Sequence, residues 1–184
     1  MTAISLKRWT RAEYDRLIEA GILSPVERVE LLEGELVRMW PQGSGHATAV
    51  GLAEDALRDI FREGYTVRVQ MPFIGGDDSE PEPDILVVHG GRRDYVGTHP
   101  ALAVLLIEVS DSTLDYDRNR KGPAYARAGV EDYWIVNLVN RVVEVYRGPT
   151  PDRGYQSIGR YRPGQPVAPL AAPSALIAVD DLLP

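Results

Sequence analysis

The chain contains no cysteine, which excludes disulfides and any zinc or iron–sulfur site built on thiolates. Histidine is scarce as well. His46, His89 and His99 are scattered, without the close pair that marks a helical zinc site. No apolar run approaches the roughly 18 residues needed to cross a bilayer. The opening "MTAISLKRWTRAEY" lacks the basic start and apolar stretch of a signal peptide. These absences lead to the expectation of a cytoplasmic protein with no membrane partner. An excess of positive charge is missing too. The net charge of −7 works against broad, non-specific attraction to nucleic acid. A bound cation and a local basic patch can still hold a phosphodiester. No repeat, low-complexity tract or clear linker interrupts the sequence, so residues 1–184 are expected to form one domain.

What is present is a globular composition, 44% apolar and 26% charged. "WTRAEYDRLIEAG" predicts a short helix, with Thr10 as N-cap and Gly21 as stop. "SPVER" reads as a Ser-capped turn with Pro25 in a first helical position. "RVELLEGELVRMW" alternates on both sides of Glu33-Gly34, the pattern of a β-hairpin. In "GSGHATAVGLAEDALRDIFREG", His46, Val50, Ala53, Leu57 and Ile60 fall on one face of an amphipathic helix. "YTVRVQMPF" alternates as a strand, and an acidic, solvated loop is expected between it and "DILVV". "ALAVLLIEVS" is continuously apolar, as in a central strand covered on both faces. "DRNRKGPAYARAGVEDY" is expected to be helical in its second half, with Pro123 opening or kinking the helix. "DYWIVNL" and "RVVEVYRG" predict a hairpin or meander across Val139-Asn140. Weak strands are expected around "YQSIGRY" and "ALIAVDDLL". Trp134, Tyr133 and Tyr146 read as packing residues. The predicted fold class is α/β (α+β mixed), a mixed sheet flanked by helices.

Three residues carry the chemistry. Asp84 opens the strand "DILVV", Glu108 lies near the end of "ALAVLLIEVS", and Lys121 follows in "DRNRK". A carboxylate inside an apolar strand is costly unless it is paired, hydrogen-bonded or bound to a metal. If the two strands are neighbours, Asp84 and Glu108 converge at one end of the sheet. Hard oxygen donors without a soft ligand suit Mg²⁺ or Mn²⁺. A lysine beside such a pair can polarise an attacking water or offset charge on a phosphate; otherwise it forms a plain salt bridge. Arg118 and Arg120 add a local cationic patch, and the "GGRRD" turn is a further candidate for touching a nucleic-acid backbone. Gln70, at the end of "YTVRVQ", can reach a metal-bound water or face solvent. His46 is either a structural histidine of the core face or a substrate contact.

"EPEPDILVV", "LLIEVSDST" and "DYDRNRKGPAYARAGVEDYWIVN", in this order, resemble the Uma-two-type family of restriction-endonuclease-like proteins. That family is a branch of the PD-(D/E)XK nuclease superfamily, and "RVELLEGELVRMWPQGSGH" extends the resemblance over most of residues 10–147. The resemblance implies a restriction-endonuclease-like core and a divalent-metal phosphodiesterase acting on DNA. It matches Asp84 to the PD aspartate and Glu108 to the acid of the second motif. The common E-x-K pattern would place lysine at position 110, where this chain has Ser110, and Lys121 matches a lysine displaced onto the following helix. Asp84, Glu108 and the backbone carbonyl of Val109 are implied to hold the metal. Glu30 is similar to a glutamate of the family's N-terminal motif. The alternative is a catalytically inactive member of the fold that binds or assembles. A homodimer is expected because two-strand cleavage suits a two-fold axis.

Overall fold

A computed structural model describes residues 5–24, 26–39 and 41–184. Pro25 lies outside the described residues, as does Trp40 at the end of the hairpin sequence; on either side of Pro25 the Ser24 hydroxyl accepts from the Val26 amide (3.3 Å) and the Ser24 carbonyl from the Glu27 amide (2.9 Å), the Ser-capped turn expected there.

Helix α1 (Arg11–Glu19) starts at Thr10, which accepts from the Glu13 amide while the Glu13 carboxylate accepts from the Thr10 amide. Such a reciprocal cap contributes about 1 kcal/mol. Strands β1 (Val29–Leu32) and β2 (Glu35–Arg38) form the expected hairpin. Its two turn residues, Glu33 and Gly34, both have positive φ, which suits the twist of a tight hairpin. Helix α2 (Ser44–Ile60) buries Ala49, Val50, Ala53 and Leu57, close to the face read from the sequence.

The main sheet has six strands in the order β3 (Tyr65–Val69), β4 (Ile85–His89), β5 (Leu105–Ser110), β6 (Asp132–Asn137), β7 (Val142–Thr150), β8 (Gly154–Tyr161). Only β5 and β6 run parallel; the other neighbours are antiparallel. Every residue of β5 and β6 is buried, as continuous apolarity predicts for strands covered on both faces. One face packs on α2 and the C-terminal segment through Ile107, Val109, Trp134 and Val136. The other carries Leu106, Tyr125, Tyr133, Ile135 and Tyr146, with tyrosine rings in mutual contact. Among the described residues no helix is long and apolar enough to cross a membrane.

Four expectations need correction. The helical stretch after β5 begins earlier than predicted: α3 (Leu114–Tyr116) runs into a π turn, Asp117–Lys121, and then α4 (Gly122–Arg127). Pro123 cannot donate to a carbonyl four residues back, and the wide turn just before it absorbs that missing bond, with Gly122 donating to Asp117 instead. The acidic loop is not simply solvated. Asp77 and Asp78 are exposed, but Ser79 and Glu80 are buried because the Glu80 amide donates to the Leu31 carbonyl (2.7 Å) and seats the loop on the hairpin. The strand "YTVRVQMPF" stops at Val69, because Gln70 turns to positive φ. At the C-terminal end β8 is a full strand of the main sheet, whereas "ALIAVDDLL" gives a two-residue strand, β10 (Ile177–Ala178), paired with β9 (Pro166–Val167), and a 3₁₀ turn at Val179–Leu182.

Candidate active site

Strands β4 and β5 pair with Ile85 opposite Ile107, so the register carried one step further sets Asp84 opposite Glu108. The two acids are 7% and 4% exposed. The Asp84 amide reaches Glu108 Oε2 at 3.4 Å, and the Val109 amide donates to Asp84 Oδ2 at 2.8 Å. The ends of β3, β4 and β5, the first turn of α2 and the π turn all meet here. All of these but β3, together with β2 of the hairpin, line a cleft of about 310 Å³ that holds Asp84, Glu108, Val109, His46, Asp117 and Lys121.

Asp84 is held on both oxygens and Glu108 mainly on one. Glu108 Oε1 accepts from Lys121 Nζ (3.0 Å) and from the Tyr125 hydroxyl (2.6 Å). Its Oε2 has only the long contact to the Asp84 amide. Asp84 Oδ1 accepts from Gln70 Nε2 (3.1 Å), and Oδ2 meets His46 Nε2 at 3.1 Å. Gln70 thus supports Asp84 directly rather than facing solvent, and its positive φ places local strain at the site. His46 leaves the core face and points at Asp84; its Nδ1 is buried without a partner.

Lys121 is 2% exposed and reaches both Glu108 and Glu30, the latter at 3.3 Å. Glu30 Oε2 also accepts from the Glu82 amide (3.0 Å), two residues before Asp84. Glu30 therefore ties the hairpin, the lysine and the Pro-rich entry to β4 together. The π turn is what lets the lysine arrive: Asp117 and Lys121 both point into the cleft, while Arg118 turns the other way to Glu144. Asp117 escaped the sequence reading. It is buried and accepts from Ser110 (2.7 Å) and Thr113 (2.6 Å). Tyr125 escaped it too. The signal for both was spacing, since Asp117, Lys121 and Tyr125 recur every four residues, but the polar run "DRNRK" masked the helix. The "GGRRD" turn lies at the opposite rim, after the His89 end of β4, and takes no part in this site.

Charge is distributed unevenly. Burial pushes the Glu108 carboxyl up to about 8; Lys121 opposes this, while Asp117, Asp84 and Glu30 add repulsion. Burial also works against the Lys121 charge, but Glu108, Glu30 and Asp117 outweigh it and hold its pKa well above the ordinary value. Burial raises Asp117. Burial would raise Asp84 as well, yet His46, the Val109 amide and Lys121 bring it below its ordinary value. Burial lowers His46, but Asp84, by hydrogen bond and charge, together with Asp117 and the Val109 backbone outweighs it, so its net shift is upward. Glu108 is accordingly the group that yields its charge. Its folded-state pKa exceeds the ordinary 4.5, so the stability it contributes is fully present below that value and is lost as pH rises through about 8. Without added metal, thermal stability of the chain is expected to fall between about pH 5 and pH 8. In Glu108→Gln, which stays neutral, the fall should be clearly shallower in calorimetric scans. An equal slope in the two proteins would contradict the assignment.

No group of three or more His, Cys, Asp and Glu side chains with metal-binding geometry is found among the described residues. Two carboxylates and a main-chain carbonyl nevertheless fit Mg²⁺, which is ordinarily held by one or two carboxylates and keeps several waters. Glu108 Oε2, held by nothing stronger than the 3.4 Å contact to the Asp84 amide among the described residues, is the observation that favours such an ion.

The fold is the restriction-endonuclease-like one expected from the sequence, and comparison with known proteins agrees. The chain belongs to the Uma2 family, described as "Putative restriction endonuclease", whose profile matches residues 11–180. Among solved structures it is similar to "a putative nuclease belonging to DUF820 from Anabaena variabilis ATCC 29413". The two share 17% identity with a TM-score of 0.73, over 95% of this chain and 97% of that one, which is a likeness of fold. No curated protein matches the chain.

Proposed function

We propose that this chain hydrolyses phosphodiester bonds of nucleic acid, DNA in the first place, with a divalent cation, Mg²⁺ or Mn²⁺. The observation that carries the reading is the pair Asp84–Glu108 at the mouth of the cleft, buried, adjacent and, among the described residues, lacking an arginine partner. Asp84, Glu108 and the Val109 carbonyl would hold the ion, which supplies a water of lowered pKa and a positive charge beside the scissile phosphate. Lys121 holds a protonated amine at Glu108 Oε1 and so keeps the carboxylate turned with Oε2 toward the cleft. The same amine is placed to offset charge as it grows on the phosphoryl oxygens. Tyr125 shares the positioning of Glu108, and Gln70 that of Asp84. His46 competes for the Asp84 carboxylate, so occupation by a cation would release the imidazole toward the substrate. Glu30 and Asp117 steady Lys121 from behind. Two chains about a two-fold axis would cut both strands of a duplex.

The test is cleavage of supercoiled plasmid and single-stranded DNA by the purified chain with Mg²⁺ or Mn²⁺. Nicked or linear products that vanish on chelation are expected. Intact DNA across metals and pH would leave the fold as a binding or assembly module.

A further inference from the structure

The register of the sheet sets Glu108, Ile135, Glu144 and Arg160 in one transverse row across β5, β6, β7 and β8. Paired residues point to the same side, which is the side covered by α3, the π turn and α4. Three strand spacings separate Glu108 from Arg160, about 14 Å at 4.7–4.9 Å per step. Arg118, next to Asp117 in the π turn, lies between them. It pairs with the buried Glu144 through Nε (3.0 Å) and Nη2 and remains 31% exposed. Asn137 and the Tyr146 hydroxyl complete the shell of Glu144, at 2.9 and 2.7 Å. The one acid in this groove is therefore neutralised. Arg160 and Arg162 line the same groove, are exposed, and have no carboxylate partner among the described residues. In a chain of net charge −7, unpaired arginines on the rim that carries the carboxylate cleft call for a ligand.

We infer that the groove of Arg118, Arg160 and Arg162 holds the sugar–phosphate backbone of a polynucleotide whose scissile phosphate lies at Asp84–Glu108. The inference rests on the nucleic-acid reading above and narrows its substrate to a strand that continues past the cut toward β8. The distance of about 14 Å corresponds to about four base steps of a duplex at 3.4 Å each. A dinucleotide is too short to span it. Arginine forks suit phosphate oxygens and carry no base preference, so the contact positions the strand without reading its sequence.

The test uses the full chain and the double variant Arg160→Gln/Arg162→Gln; Arg118 is left in place because it compensates Glu144. Binding of a fluorescent 16-base-pair duplex and of a labelled dinucleotide is followed by anisotropy from 50 to 200 mM salt, without catalytic metal. Two lost phosphate contacts should reduce the log–log salt slope by about 1.8, so the wild type should lose about 12-fold more affinity over that range than the variant. The gain in affinity from dinucleotide to duplex should also shrink in the variant, with an unchanged melting temperature. Equal slopes and equal length dependence would overturn the groove, as would a wild type that binds no duplex. A slope change in a protein that never cleaves DNA would uphold the groove and sink the hydrolase reading instead.

Discussion

Lys121→Met is expected to destabilise the protein by about 3–5 kcal/mol above about pH 8, where Glu108 carries its charge, the cost of breaking a buried charge pair from one side. Lys121 lies between two buried carboxylates, Glu108 and Glu30, and among the described residues no other basic group reaches either. Methionine fills a similar volume, so the loss reports charge rather than a cavity. Against a typical total of 5–15 kcal/mol, the variant would be marginal at growth temperature. Glu108 can escape by keeping its proton, which its raised pKa favours, so the deficit should shrink as pH is lowered toward 5. Adding Glu30→Gln should restore a large part of the loss, since the two residues are in contact and their effects do not add. Urea unfolding of the two single variants and the double at two pH values measures this. A Lys121→Met protein as stable as the wild type would mean that the lysine compensates nothing.

Asp84→Asn is expected to abolish metal-dependent cleavage while leaving the fold in place. The amide retains an oxygen for the Val109 N–H and the shape of the strand entry, but it removes the charge. Altering residues that merely support metal ligands costs about 10–100-fold in affinity or activity, and losing a ligand's charge should exceed that range. The variant also tests the electrostatics independently of turnover. His46 loses the carboxylate that raises it, so burial is left to prevail and its titration should move to lower pH by NMR. A variant that still cuts DNA within a few-fold of wild type would remove Asp84 from the chemistry.

The two carboxylates were legible in the sequence because acids at the mouth or within apolar strands have few inexpensive explanations. β4 and β5 were equally plain, being continuous apolar runs. β8 was underread since an edge strand exposed along much of its length carries Gln156, Ser157 and Arg160 where a buried strand carries valine. Glu80 was read as solvated because its burial depends on a backbone bond to Leu31, a contact that no local pattern announces. His46 shares the helical face of Val50 and Ala53, and periodicity alone cannot tell that its first-turn position overhangs the sheet rim. Asp117 and Tyr125 were hidden by the π turn. A polar run followed by Gly-Pro looks like a break, whereas the extra residue in that turn carries the helix through Pro123 and aims Lys121 at Glu108.

The central claim is that Asp84 and Glu108 together bind one divalent ion. Calorimetric titration of the chain with Mn²⁺ at pH 7, in buffers of different ionisation enthalpy, addresses it most directly. The account predicts one ion per chain and release of a proton as Glu108, held near 8, gives up its hydrogen. It also predicts loss of that binding in Asp84→Asn. Absence of binding, or binding unchanged in the variant, would contradict it.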